Sequence, residues 1–143
     1  MGRNYQVLLV DPDIDHRSQI KQHLSSLSAA VVGEAEYGIE AARLAAELQP
    51  ELVLVHIEEP LALALRSLEA VQRSAPHSTP IALSRRTDAH TVQAAMLAGA
   101  RGYVVTPTTP ALLDRTLQVA RQRHTDLNER ANSLDRTDPS TVA

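Results

Sequence analysis

The run Pro50-Glu51-Leu52-Val53-Leu54-Val55-His56-Ile57-Glu58-Glu59-Pro60 constrains the fold more than any other stretch of the chain. Leu52 to Val55 is an unbroken, partly β-branched apolar segment, as a strand covered on both faces requires. Pro50 stops the helix before it and Pro60 opens the helix after it. His56 therefore stands where the strand leaves the sheet. In an open α/β sheet, ligands and chemistry gather at that carboxyl edge.

The flanking segments repeat this alternation. Tyr5 to Val10 reads as a first strand ended by Asp11-Pro12-Asp13. Asp13 is placed to cap a helix reaching about Leu27, with Ile20, Leu24 and Leu27 on one stripe. Ala30 to Ala35 reads as a short strand whose mixed pattern suits a sheet edge, and Gly38 to Leu48 as the second helix. Helical spacing runs from Leu61 to Ser74, followed by a strand at Ile81–Ser84. Thr87 is expected to cap a fourth helix that Gly99 terminates. Gly102 to Val105 is the fifth strand, and a fifth helix is expected from about Thr109 to Arg123. Strands and helices in this alternation argue a parallel sheet wrapped on both faces by right-handed crossovers.

Beyond Arg123 the apolar period fades. The expectation is one domain over residues 1–124, with 125–143 a frayed helix running into a linker around Asp138-Pro139-Ser140-Thr141. A chain ending in a linker suggests a fragment of a longer protein. With no Phe or Trp and three Tyr, the core must come from Leu, Val, Ile and Ala. A net charge of −3 gives no electrostatic case for nucleic acid. The absence of Cys removes disulfides, thiolate metal sites and a Cys nucleophile. No apolar run approaches the ~18 residues of a membrane span, and the start lacks the apolar segment of a signal peptide. A cytoplasmic location is the expectation.

Acid-Leu-Val-Leu-Val-His-Ile-x-x-Pro resembles the phosphoacceptor strand of two-component receiver domains, with His56 where that family carries its phosphorylated Asp. The resemblance extends over about residues 5–123. Val7-Leu8-Leu9-Val10-Asp11-Pro12-Asp13 resembles the first strand and the acidic cluster that holds Mg²⁺ in the family. Asp11 matches the first acid, Pro12 replaces the second, and Asp13 sits one place late. Ser84 matches the switch Ser/Thr, but Arg85 and Arg86 follow it where a small residue is usual. Ala98-Gly99-Ala100-Arg101-Gly102-Tyr103 matches the family's segment, placing Tyr103 at the aromatic switch position. Thr106-Pro107 matches Lys-Pro, so Thr106 replaces the Lys and Pro107 is a candidate for a cis peptide. The resemblance implies a three-layer α-β-α, flavodoxin-like fold with strand order 2-1-3-4-5.

Aspartyl phosphorylation needs a carboxylate nucleophile, a carboxylate-held Mg²⁺ and a Lys cation. Nucleophile and Lys are missing, so the expectation is a non-phosphorylatable receiver with no catalytic residue, no metal and no cofactor. His56 reads as a phosphohistidine acceptor, a metal ligand or, the reading preferred here, a histidine hydrogen-bonded to Asp11 or Asp13. Such a histidine could also titrate near neutral pH as a switch. Asp11, Asp13 and Glu58 form a vestigial acidic pocket that could bind a hard cation. The preferred alternative makes Asp13 a helix cap and Glu58 a solvated acid. Arg85 and Arg86 are expected to pair with these acids. His16, His23, His77, His90 and His124 are read as solvated. No phosphate-binding glycine motif is present.

Receiver domains act through protein contacts, and the resemblance implies a dimer or partner surface on the fourth helix, fifth strand and fifth helix. Val92, Met96, Tyr103, Leu112, Arg115 and Val119 are its candidates, unless the apolar ones are core. An unswitched receiver would bind constitutively. The lost phosphoacceptor, the Ala- and Arg-rich composition and the tail resemble the N-terminal domains of MinD-like ATPases of Tad (Flp) pilus assembly. This implies a dimerisation or localisation module joined to a C-terminal ATPase. The alternative is the receiver of an atypical response regulator with a DNA-binding output domain. Neither reading has this segment touch nucleic acid or membrane.

Overall fold

The structure is a computed structural model, and it describes residues 5–136. The proposed linker around Asp138–Thr141 lies outside the described residues. Strands β1 (Tyr5–Val10), β2 (Ala29–Ala35), β3 (Leu52–His56), β4 (Thr79–Ser84) and β5 (Gly102–Val105) form one parallel sheet. The order is β2-β1-β3-β4-β5, with β3 central and β2 at an edge. Helices α1 (Ile14–Ser25), α2 (Ile39–Leu48), α3 (Leu61–Ser74), α4 (Ala89–Leu97) and α5 (Pro110–Arg136) connect or follow the strands.

Alternation along the strands sorts side chains into two apolar layers. Tyr5, Val7 and Leu9 of β1 pack with Leu52 and Leu54 of β3 against α1 and α5. Leu8 and Val10 pack with Val53 and Val55 against α2, α3 and α4. All four central residues of β3 are fully buried, as their apolar run requires. The β1–β2 register shifts between Val7 and Leu8. Gly33 of β2 lies where an added Cβ would stand 2.7 Å from Leu48 Cδ1, so a larger residue there would make the Leu48 side chain shift.

Three expectations about elements change. Asp88 rather than Thr87 caps α4, its carboxylate accepting from Thr91 N–H. Helix α1 stops at Ser25, short of Leu27. Helix α5 continues to Arg136, 27 residues in all. The stretch after Arg123 holds no Gly or Pro before Pro139 and is rich in good helix formers, so nothing in it stops the helix. No helix among the described residues is long and apolar enough to cross a membrane.

Candidate functional site

β1 and β3 are neighbours in register, with Val10 opposite Val55. The next residues, Asp11 and His56, therefore emerge side by side at the carboxyl edge. Alternation sends both to the α1 side of the sheet. Asp13 caps α1, its Oδ1 accepting from the amides of Asp15 and His16. The helix then places His16 one turn before Ile20 and two before Leu24, on the buried stripe.

The result is a closed cluster of three side chains, each at most 5% exposed. His16 Nδ1 lies 2.5 Å from Asp11 Oδ2, and His56 Nδ1 lies 2.9 Å from Asp11 Oδ1. The carboxylate can only accept, so each ring donates from Nδ1. The Asp13 amide donates to Asp11 Oδ1 as well. The two imidazoles stack, with centroids 3.7 Å apart and planes 15° from parallel. Burial alone would raise the Asp11 pKa. The hydrogen bonds from His16, His56 and the Asp13 amide outweigh it and hold the carboxyl at about 2. His16 Nε2 is buried and has no hydrogen-bond partner.

Tyr37, in the loop before α2, also reaches the end of β3. Its hydroxyl donates to the His56 carbonyl and accepts from the Glu58 amide at 3.1 Å. Burial pushes the Tyr37 phenol well above its ordinary range. Ser84 is buried, donates to the Ile57 carbonyl at 2.9 Å and accepts from Arg86 N–H at 3.1 Å. Tyr103 is half-buried, and its hydroxyl donates to the Arg86 carbonyl at 2.7 Å. Thr106 is buried, with its Oγ1 unpartnered and its amide bonded to the Ser84 carbonyl. The Thr106–Pro107 peptide is cis, and so is Glu59–Pro60. A cleft of about 260 Å³ opens over the site, lined by Asp13, His56, Glu58, Glu59, Ser84, Arg85 and Arg86 among others.

Several sequence expectations are corrected here. Arg86 pairs with Glu59 at 3.0 Å and Asp88 at 3.3 Å, not with Asp11, Asp13 or Glu58. Arg85 is exposed and has no ion-pair partner among the described residues. The two imidazoles already satisfy Asp11, which removes the need for an arginine there. His16 is buried rather than solvated. So is His124, whose Nδ1 accepts from Arg101 Nε at 3.3 Å while Nε2 donates to the Pro76 carbonyl at 2.8 Å. Glu58 is part-exposed, with Oε2 3.7 Å from His56 Nδ1. Of the proposed interface residues, Leu112, Arg115 and Val119 are exposed, whereas Val92, Met96 and Tyr103 are half-buried. Leu97 and Val105 are exposed as well and were not among the proposed interface residues.

The sequence profile described as response regulator receiver domain matches residues 7–118. The chain belongs to the receiver family. It is 30% identical over 117 residues to the transcriptional regulatory protein YdfI of Bacillus subtilis, covering 80% of this chain and 54% of that protein. It is 29% identical over 111 residues to the chemotaxis protein CheY of Thermotoga maritima, covering 78% of this chain and 91% of that one. The chain thus spans about half the length of the first of these relatives. Among solved structures, the receiver domain of a modulated diguanylate cyclase from Desulfovibrio desulfuricans superposes with a TM-score of 0.76 at 25% identity, covering 86% of this chain and 98% of that one. The family places this chain among two-component signalling domains, with the flavodoxin-like order that the sheet displays.

The receiver family's Mg²⁺ asks for several hard oxygen donors. Here both Asp11 oxygens accept from imidazole N–H groups, Asp13 Oδ1 is engaged by helix amides, and a ring nitrogen stands at the end of β3. This donor set does not fit Mg²⁺.

Proposed function

We propose that this chain is a non-phosphorylatable receiver that works as a constitutive protein-interaction module and is not an enzyme. The observation that carries this reading is the Asp11–His56 pair. The end of β3 offers an imidazole whose Nδ1–H is committed to Asp11 at 2.9 Å, and no carboxylate nucleophile. Thr106 stands where the family carries the Lys that meets the phosphoryl oxygens. The switch residues support a single conformation, because Ser84 and Tyr103 are each bonded to a backbone carbonyl.

In this reading residues 1–124 form the receiver body, and 125–143 lead into a covalently linked output domain. The interaction surface is the face of α4, β5 and α5, used for a homodimer or a protein partner in the cytoplasm. The resemblance to Tad pilus proteins makes the output a MinD-like ATPase. The second reading is a DNA-binding output, which the names of relatives such as YdfI favour. A P-loop or a helix-turn-helix in the natural gene product after Ala143 separates the two.

The test is sedimentation equilibrium with and without acetyl phosphate, Mg²⁺ and beryllofluoride. The expected result is the same mass under every condition. A change in mass or in the amide spectrum with beryllofluoride would show a live phosphorylation pocket and end this reading.

A further inference from the structure

We propose that Asp11, His16 and His56 form a binding site for one divalent transition-metal ion of the Zn²⁺ or Co²⁺ type. Each residue offers a ligand atom, and the three atoms lie within 4.8 Å of one another. Two imidazole nitrogens and one carboxylate oxygen are the mixed donor set that suits such ions and not Mg²⁺. The ligands come from a strand end, the first turn of a helix and the neighbouring strand end. Their backbone positions are fixed by the sheet register and the Asp13 cap, so binding asks only that the two stacked rings turn apart to bring their nitrogens onto one ion.

Two further observations point to a ligand. His16 is 5% exposed and its Nε2 meets no donor or acceptor, so nothing on that side of the ring fixes its tautomer and Nδ1 is free to give up its proton to Nε2 and ligate. Glu58 Oε2 stands 3.7 Å from His56 Nδ1 on the side of the cleft, where it can approach as a fourth donor. A divalent ion against the Asp11 and Glu58 carboxylates closes at zero net charge. Coordination exchanges the Nδ1–H···carboxylate bonds for metal bonds. A ring ligating through Nδ1 carries its proton on Nε2, so a neutral imidazole need release none. The inference concerns the same pocket as the receiver reading but stands apart from it, since insensitivity to beryllofluoride would survive a failure to bind Zn²⁺.

The experiment is titration of the full chain with Zn²⁺ alone and with Co²⁺ alone, followed by calorimetry and the visible Co²⁺ bands, with Mg²⁺ in parallel. Saturation at one equivalent is expected for Zn²⁺ and Co²⁺ but not for Mg²⁺. His16→Gln and His56→Gln should each weaken binding at least about tenfold, whereas His77→Gln and His90→Gln, both at exposed positions, should leave it unchanged. Imidazole ¹⁵N shifts of the unsubstituted protein give a readout independent of variant folding. Zn²⁺ should move His16 and His56 and leave His77 and His90 in place. No saturable binding, binding unaltered by both His16→Gln and His56→Gln, or shifts confined to other histidines would overturn the site.

Discussion

Asp11 is the residue on which the pocket depends. It is fully buried and accepts from two imidazoles and one amide. Asp11→Ala would leave two buried ring N–H groups without an acceptor, at about 1–3 kcal/mol each. We therefore expect a loss of about 2–6 kcal/mol in urea unfolding, and a smaller loss for Asp11→Asn, which keeps one acceptor oxygen. An Asp11→Ala protein as stable as its parent would mean that the cluster contributes nothing to folding. At this scale the sequence was legible where a side chain's place follows from its own strand. The apolar run of β3 puts His56 at the sheet edge next to the end of β1. His16 was hidden because a polar residue just after an acidic cap reads as surface. The signal that could have found it is its spacing of four and eight from Ile20 and Leu24. Tyr37 had no such signal, because a loop residue's partner is set by the fold and not by local period.

Among the elements, α5 departs most from its sequence reading. Its apolar seam fades after Arg123 because the sheet no longer lies beneath it, whereas backbone hydrogen bonding continues. His124 sits at that transition and ties α5 to the loop before β4 through Pro76 and to Arg101 before β5. Burial holds its pKa below the ordinary value of 6.5; the Pro76 carbonyl opposes this, and the nearby Arg101 and His77 add to it. Because the folded pKa is depressed, the fold favours the neutral ring. The contribution of His124 is present above the unfolded value and is lost as the pH falls below it. Urea unfolding should thus show stability declining from about pH 7.5 to about pH 5. His124→Gln, which does not titrate, should flatten that decline. Equal slopes in the two proteins would show that His124 is not the group responsible. Other elements were read nearly to the residue, since short β-branched runs and amphipathic helices alternate with clear Pro and Gly breaks.

For the whole molecule, the α/β alternation was enough to fix class and layering, because parallel strands require crossovers and the crossovers require cover on both faces. What it could not show was which apolar side chains the finished fold leaves outside. Leu97, Val105, Leu112 and Val119 are 82%, 47%, 60% and 51% exposed, and all belong to α4, β5 or α5. If that face joins two copies, Leu112→Glu with Val119→Glu should yield a monomer in sedimentation equilibrium with little change in thermal midpoint. Exposed positions contribute little to the fold itself. A dimer that persists in the double variant would place the contact elsewhere.

The length of α5 also has a mechanical meaning. From Thr125 to Arg136 it adds 12 residues, about 18 Å of helix at ~1.5 Å per residue, and most of the side chains described there are exposed. A straight helix fixes the azimuth at its tip as firmly as the distance. One residue inserted there would turn whatever the helix carries by about 100°, while a four-residue insertion would restore the facing to within about 40°. The sheet therefore sets a rotational phase at a point it never touches.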